Sequence, residues 1–408
     1  MADEPATYLR FSSATRQRLK QAPPGLLLFF VAVALMAMSG GIQDSAFNNY
    51  LSDTFQVSAA TRGKLEFPRE LPGLLTVVMT GLFSSVSDLE LGALAAGSVA
   101  LGLAIIGIWS RRWWPMVGGT LLWSAGTHLL MPVGDSVALG MVREGRAGRR
   151  LGQMGVVTTL AALGGYAVVW VGTRLLAADY AYLFWVGALA SGLAIFVWRL
   201  MPRLPHCRVR PRFLYKRRYR LFYVLQLLFG ARKQVFITFA PWVLVRIFRQ
   251  PAYVLAQLQG AGAILGLFFR PYLGHLIDRV GERTILIAES ALMVGVSLAY
   301  GFAQGLLGAR VGLWLVFLCF VTDQLLFAVG MARTTYLSRI AETPEDVTPS
   351  LSMGVSINHL VSMSLPTLGG YAWDTWGYEW VFVGAAAVAL VNILAASRIG
   401  RGSDRELT

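Results

Sequence analysis

Long apolar runs separated by short polar segments recur along the whole chain. A helix needs about 20 mainly apolar residues to cross a membrane, and continuous runs of this kind occur at 25–39, 91–108, 180–198, 311–331 and 380–396. Continuous runs predict transmembrane helices, whereas the strands of a membrane β-barrel alternate apolar and polar residues. The pattern therefore predicts an all-α polytopic membrane protein.

Twelve spans are predicted, six on each side of a basic segment. They are expected near 25–50, 62–86, 91–109, 114–133, 150–173, 179–200, 219–247, 254–273, 284–304, 311–338, 350–372 and 377–397. We expect an N-terminal six-helix bundle at 1–200, a linker at 201–218 and a C-terminal six-helix bundle at 219–408. Pro202, Pro205 and Pro211 discourage one continuous helix through the linker.

A repeated pentapeptide suggests that the two bundles are related. Leu-Gly-Gly-Tyr-Ala occurs at 163–167 and again at 368–372, in the predicted fifth and eleventh spans. Internal repeats of this kind are common in secondary transporters, which place a central site between two related halves. The glycines also suit close packing of membrane helices through small residues. We expect two pseudo-symmetric bundles.

Composition and charge support a membrane location. The 408 residues are 55% hydrophobic and 14% charged, against roughly 25% charged in soluble domains. The formal net charge is +14, with basic groups at 10–20, 143–150, 203–220 and 398–405. With twelve spans these groups share one side, and basic loops mark the cytoplasmic side. We expect a multi-pass protein of the plasma or bacterial inner membrane with both termini cytoplasmic, and no nucleic-acid binding.

No pattern points to an enzyme, a cofactor or a metal. The two cysteines, Cys207 in the basic segment and Cys319 in an apolar span, have neither the spacing of a metal site nor a shared environment for a disulfide. The chain has no phosphate-binding glycine loop and no convincing nucleophile elbow. We therefore expect no cofactor, no bound metal and no ATP-driven step.

The segment 274–283 reads Gly-His-Leu-Ile-Asp-Arg-Val-Gly-Glu-Arg, between the predicted eighth and ninth spans. Here the chain resembles the major facilitator superfamily, whose loop pattern is Gly-x-Leu-x-Asp-Arg-x-Gly-x-Arg. The resemblance implies the twelve-helix fold and alternating access, with a cytoplasmic gating loop made by Gly274, Asp278, Arg279, Gly281 and Arg283. The alternative is an ordinary charged turn. The first-half counterpart at 81–92 keeps a glycine and Asp88 but lacks the arginines.

Polar residues at membrane depth are costly and tend to face a cavity or a partner. The candidates in the first half are Asp44 and Asn48 in the first span, and Glu66, Arg69 and Glu70 in the second. Glu66 and Glu70 share a helix face, and Arg69 is placed to pair with Glu66. These residues form either a substrate or coupling site, or a self-neutralising structural cluster.

The second half places two adjacent cations, Arg232 and Lys233, about midway along the seventh span, followed by Gln234. Successive helical residues point about 100° apart, so both cations are not expected to face one cavity. One is expected to pair with a first-half carboxylate such as Asp44 or Glu70, and the other to meet an anionic substrate. Asp323 and Asn358 are further candidates. His128 and His359 are suited to proton relay by their chemistry, but a packed structural role is the favoured interpretation.

The sequence thus predicts a secondary active transporter for a small polar, anionic or zwitterionic solute. Protons are the expected coupling ion, because a neutralised carboxylate crosses a low-dielectric region at lower cost. We expect a monomer in the lipid bilayer. The alternatives are an efflux pump for amphipathic drugs or lipids, and a non-transporting membrane receptor on the same fold. A Gly-Pro-x-x-Gly-Gly pattern typical of drug exporters lacks its proline in the fifth span, at Ala161.

Overall fold

The computed structural model describes residues 25–83, 85–141, 147–202, 215–343 and 346–400. Within these ranges the chain forms thirteen α-helices and no strands. The helices of the first half are α1 (Leu26–Phe55), α2 (Ala59–Lys64), α3 (Glu66–Leu74), α4 (Thr76–Leu82), α5 (Asp88–Ile108), α6 (Trp113–Gly140), α7 (Ala147–Arg174) and α8 (Tyr180–Leu200). Those of the second half are α9 (Arg220–Arg246), α10 (Ala252–Leu326), α11 (Gly330–Ile340), α12 (Val347–Trp376) and α13 (Tyr378–Ala396), with 3-10 turns at Arg217–Tyr219 and Phe327–Val329.

Helix α10 is three helices joined end to end. The backbone is non-helical at Gly281 (φ 82°) and Gly308 (φ 74°), a left-handed region that favours glycine. The chain reverses at both positions, so α10 supplies three crossings, the last of which continues into α11. Six helical stretches, with 252–340 counted as one, are long and apolar enough to cross a membrane. The predicted all-α fold of two six-helix bundles is confirmed.

The second span differs from its prediction. Instead of one helix over 62–86, the chain forms α2, α3 and α4, with junctions at Leu65 and Leu75. Helix α2 begins earlier, at Ala59, because the Ser58 side chain caps it by accepting a hydrogen bond from the Thr61 N–H (3.2 Å). Pro72 lies inside α3 and removes a backbone donor. Helix α3 carries Glu66 and Glu70, whose carboxylates contact Gln234 and His359 of the second half.

The two copies of the repeated pentapeptide pack against different partners. Gly165 lies against the backbone carbonyl of Met38 in its own half, whereas Gly370 lies against the carbonyl of Ala59 in the other half. At both sites a β-carbon would overlap the neighbouring backbone, so glycine allows the helices to touch. The repeat therefore serves packing within one bundle in the first copy and packing between bundles in the second.

One end of the bundle carries the linker, and we call it the linker end; the opposite end is the far end. At the linker end the Lys216 ammonium lies 2.8 Å from Glu342 and 2.5 Å from Asp346, and the Tyr219 hydroxyl donates to Asp346 (2.6 Å). The hydrogen bonds from Lys216 and Tyr219 lower the pKa of Asp346. The hydrogen bonds to Asp346 and Glu342 raise the pKa of Lys216. Basic groups at 10–20, 143–146, 203–214 and 401–405, and Cys207, lie outside the described residues.

Candidate functional site

A cavity of about 940 Å³ lies between the two halves. Helices α1, α3, α6 and α7 of the first half and α9, α10 and α12 of the second contribute to its wall. Its polar and ionisable lining is provided by both halves. The principal groups are Asp44, Arg69, Glu70, His128, Lys233 and His359.

The halves are in contact at the far end of the cavity. Asn49 donates a hydrogen bond to the Gln250 carbonyl (2.8 Å). The Asp374 carboxylate accepts from the backbone N–H groups of Ala59 (3.1 Å) and Ala60 (2.9 Å), at the start of α2. In the described part of the chain, every hydrogen bond and ion pair between the halves lies at this end or at mid-depth. The polar contacts between the halves in the described chain are therefore confined to mid-depth and the far end.

Glu66 is the centre of a buried charge network between the halves. Its carboxylate is fully buried and accepts hydrogen bonds from Arg62, from Arg69 Nε (2.8 Å) and from Gln234 Nε2 of the second half (2.8 Å). Arg62 in turn donates to Asn48 Oδ1 (2.9 Å). The predicted Glu66–Arg69 pair is present. We call the group of Arg62, Glu66, Arg69, Glu70, Gln234 and His359 the interface network.

Glu70 carries the same network to α12 of the second half. Its carboxylate lies 3.0 Å from His359 Nδ1 and 3.5 Å from Arg69 Nη2. The His359 ring packs edge-on against His128, with ring centroids 5.0 Å apart. Sequence reasoning favoured a structural role for both histidines, and their spacing along the chain gave no sign that the two rings meet.

Three successive residues of α9 face three different surroundings. Arg232 is buried in its own half, where it contacts Asp323 (2.8 Å) and Glu289 (2.9 Å). Lys233 lines the cavity, and Gln234 reaches Glu66 of the first half. The two cations do point apart, as their 100° separation predicts. The prediction that Arg232 or Lys233 pairs with a first-half carboxylate is wrong, because Arg232 pairs with second-half carboxylates and Lys233 has no ion pair in the described chain. Glu289 was not among the predicted site residues.

Four charged residues of the cavity wall lack a partner within the described ranges: Asp44 and Asp135 of the first half, and Lys233 and Arg270 of the second. Asp135 and Arg270 lie nearer the linker end, whereas Asp44 and Lys233 lie deeper in their helices. Asp44 is on α1 of the first half, and Lys233 is on α9 of the second. Within the described ranges neither side chain makes an ion pair or a hydrogen bond, although Glu66, Glu70, Arg69, Arg232 and Asp323 all do. An unpaired carboxylate and an unpaired ammonium therefore face one cavity from opposite halves.

The other predicted site residues lie outside the cavity wall. Glu66 and Gln234 are bonded to each other across the halves, whereas Asn48 accepts from Arg62 within the first half. Arg232 and Asp323 lie inside the second half. Asn358 is buried on α12, where its side chain accepts from Ser362 Oγ (3.3 Å). These six residues share one property: protein groups already satisfy at least part of their bonding capacity. We therefore interpret these residues as structural groups around the cavity.

The predicted gating loop lies at the linker end, where Gly281 separates the first two segments of α10. Gly274 and Arg283 are half-buried there, and Asp278 and Arg279 are exposed. In the described chain none of the three charged residues forms an ion pair. The ion pair of this region is instead made by Glu282, which is buried and lies 2.6 Å from Arg339 of α11. Sequence reasoning had missed Glu282, because the loop pattern leaves that position open.

Comparison with known proteins agrees with this architecture. The family model described as Major Facilitator Superfamily matches residues 29–353. A search of curated proteins finds no match.

Among solved structures, the nucleoside transporter NupG is similar with a TM-score of 0.73 and 13% identity, covering 91% of this chain and 98% of its own. A D-xylose-proton symporter has a TM-score of 0.71 at 12% identity, covering 92% and 97%. A POT family transporter in complex with 5-aminolevulinic acid has a TM-score of 0.73 at 10% identity, covering 93% and 97%. At these identities the likeness shows the fold alone. With the family model matched over most of its length, this chain is a member of the Major Facilitator Superfamily.

Proposed function

We propose that the protein is a secondary active transporter that moves a small zwitterionic solute through the cavity between its halves. The observation that supports this proposal is the unpaired couple of Asp44 and Lys233. Charges at membrane depth are costly without a partner. A solute with an ammonium group and a carboxylate would supply both partners at once, with Asp44 holding the ammonium and Lys233 the carboxylate.

Asp44 and Lys233 lie on opposite halves, and this placement couples solute binding to movement of the halves. A solute bound to both would connect the halves across the cavity, so binding would favour some arrangements of the halves over others. A ligand shifts such an equilibrium only by its difference in affinity between the states. A solute held by one half alone would bind the different arrangements of the halves with similar affinity.

Proton coupling is proposed to act through Asp44. A protonated or ligand-bound Asp44 removes an uncompensated charge from the cavity, which lowers the cost of reorientation. Two structural neighbours are consistent with these ideas. One is a D-xylose-proton symporter, and another was solved with 5-aminolevulinic acid, which carries an amine and a carboxylate. The basic linker end is proposed to be cytoplasmic, and the transporter to act as a monomer.

Uptake into proteoliposomes tests this function. Labelled zwitterions, anions, cations and neutral sugars are offered separately, with and without an imposed pH gradient. We expect gradient-driven uptake of a zwitterion. Lys233→Gln should raise the half-saturating concentration about 10–100-fold, the loss of one charged hydrogen bond, and Asp44→Asn should remove the acceleration by the gradient.

Matched controls separate the site from general charge effects. Lys64→Gln removes a cation that lies over the Tyr371 ring (4.8 Å), and Asp53→Asn removes a carboxylate of α1 that is bonded to Tyr180 (2.6 Å); neither lines this cavity. Unchanged zwitterion uptake by Lys233→Gln would overturn the proposed binding mode. Flux of amphipathic cations alone would favour efflux, and no gradient-dependent flux of any class would favour a receptor.

A further inference from the structure

Three potential metal ligands meet in the wall of the cavity. They are the Glu70 carboxylate of α3, the His128 ring of α6 and the His359 ring of α12, and one ligand atom of each lies within 4.8 Å of the others. We propose that this group binds a first-row divalent transition metal ion such as Zn²⁺. The inference is independent of the solute that the protein transports.

The bonding of His128 prepares one of its nitrogens to act as a ligand. Its Nδ1 lies 2.9 Å from the backbone carbonyl of Ser124. The Ser124 hydroxyl lies 3.0 Å from the same nitrogen but donates its proton to the Arg69 carbonyl. Both neighbours of Nδ1 therefore accept, so Nδ1 carries the proton and Nε2 keeps its lone pair. Metal-binding histidines commonly have this arrangement, in which one ring N–H donates to a carbonyl and thereby fixes the tautomer and the ring orientation.

Gly73 creates the space in which the rings and the carboxylate come together. A β-carbon at this position would lie 2.5 Å from His359 and 2.8 Å from His128. Only glycine therefore permits both rings to approach α3, where Glu70 lies 3.0 Å from His359 Nδ1. Ligands of a tetrahedral zinc ion are roughly 3.4 Å apart, given bonds of about 2.0–2.1 Å. The three ligand atoms, which now lie within 4.8 Å of one another, would close to that separation on binding.

The donor set selects the class of ion. Two imidazoles and one carboxylate suit zinc and its transition-metal neighbours, whereas magnesium and calcium prefer oxygen donors alone. Three protein ligands leave a coordination position for water or another group from the cavity. The nearby charge of Arg69 is offset by Glu66 at 2.8 Å. Lys233 lines the same cavity without a partner and opposes a cation, so its removal is expected to tighten metal binding.

A metal ion in this position would connect the two halves. Glu70 and His128 belong to the first half and His359 to the second. The ion would therefore stabilise the present arrangement, in which the halves are joined at mid-depth and at the far end. Sequence spacing gave no sign of the site, because its ligands come from three helices at positions 70, 128 and 359.

Cobalt absorption provides a direct test, since Co²⁺ replaces Zn²⁺ in such sites and has visible d–d bands. The purified full chain is freed of any polyhistidine tag and carries His206→Gln and His275→Gln, which remove the two histidines outside the group. We expect one Co²⁺ per chain, displaced by Zn²⁺. Glu70→Gln, His128→Gln and His359→Gln should each weaken Zn²⁺ binding at least about 10-fold, the loss known for outer-shell partners. Lys233→Gln should strengthen it.

Two results would overturn the proposal: no cobalt bands in the tag-free chain, or binding that persists unchanged in the His128→Gln/His359→Gln double variant. Thermal unfolding of the metal-free variants checks that each remains folded. The hydrogen bonds of His128 stay within the first half, so its variant tests ligation without removing the Glu70–His359 hydrogen bond between halves. Binding is measured without solute or gradient, so its failure leaves the transport proposal intact, and failed uptake leaves the metal proposal intact.

Discussion

Two buried charge networks lie side by side at mid-depth, and they differ in which half supplies their members. The second-half network comprises Arg232, Glu289 and Asp323 on α9 and α10, and lies within one bundle. The interface network joins α2 and α3 of the first half to α9 and α12 of the second. Arg232 and Gln234, two residues apart on α9, belong to different networks.

Both networks are buried groups of arginine and carboxylate side chains, but their positions give them different physical roles. Alternating access moves one bundle against the other around a fixed site. Contacts within one bundle persist through such a motion, whereas contacts between bundles must break and reform. The second-half network should therefore act on the stability of its bundle, and the interface network on the balance between arrangements of the two halves.

The largest expected effect follows from breaking the second-half network. Arg232→Met removes the cation that contacts both Glu289 and Asp323. The buried Arg333, which lines a small pocket with Glu289, then remains as one cation beside two carboxylates. Removal of one member of a buried ion pair costs about 3–5 kcal/mol, because the remaining charge is uncompensated. We expect a correspondingly lower free energy of unfolding for this variant, measured by denaturation in detergent micelles.

The matched control removes one cation and one carboxylate together. In Arg232→Met/Asp323→Asn, Glu289 keeps the buried Arg333 as a nearby cation in the same small pocket, and replacing a complete buried ion pair is often neutral. The double variant should thus recover most of the stability that the single substitution loses. Wild-type stability of Arg232→Met, or a double variant that is no better than the single one, would contradict a stabilising role for the network.

Features set by residues close together in the sequence could be predicted from it. The spans, the two bundles and the left-handed turn at Gly281 follow from local patterns: apolar run length and glycine in a loop signature. The divergence of Arg232 and Lys233 follows from helix geometry. The Glu66–Arg69 pair follows from spacing within one turn.

The remainder depends on which helices become neighbours. Nothing local indicates which of the two cations faces the cavity, because that is set by the rotation of α9 against α10. Glu289 and His359 are likewise invisible as partners, since they lie 57 and 289 residues from Arg232 and Glu70. The break of the second span was missed for another reason: the apolar pattern over 62–86 predicted one helix, whereas the chain divides into three at Leu65 and Leu75.

A smaller effect is expected from the interface network. Gln234→Met removes the hydrogen bond that Gln234 Nε2 donates to Glu66 across the halves (2.8 Å), and leaves Arg62 and Arg69 as partners of that carboxylate. A hydrogen bond to a charged group is worth about 1.5–3 kcal/mol. The ratio of arrangements should therefore shift about 10–100-fold away from the present one. Distances between spin labels at the linker ends of the two halves report the shift.

Thr238→Val is the control for this experiment. Thr238 is buried one turn along the same helix and receives a contact from Gln234 Nε2 (3.3 Å), but within the described residues it has no hydrogen bond to the first half. The control should leave the distance distribution close to that of the wild type. Equal shifts in the two variants would mean that local packing of α9, and not the bond between halves, sets the balance.

The smallest effect is expected at the linker end, outside the membrane, where Asp346 binds Lys216 and Tyr219. These partners lower the Asp346 pKa below its usual 3.8, so the stabilisation is present above that pH and is lost as the pH falls through the folded-state pKa. The raised Lys216 pKa gives a contribution that is complete below its usual 10.5 and is lost at still higher pH. Asp346→Asn should accelerate hydrogen exchange at 215–219 near neutral pH without a detectable change in global unfolding. Glu342→Gln should accelerate this exchange less, because solvent screens its more exposed ion pair. Equal exchange in the wild type and both variants would show that the ion pairs do not anchor the linker.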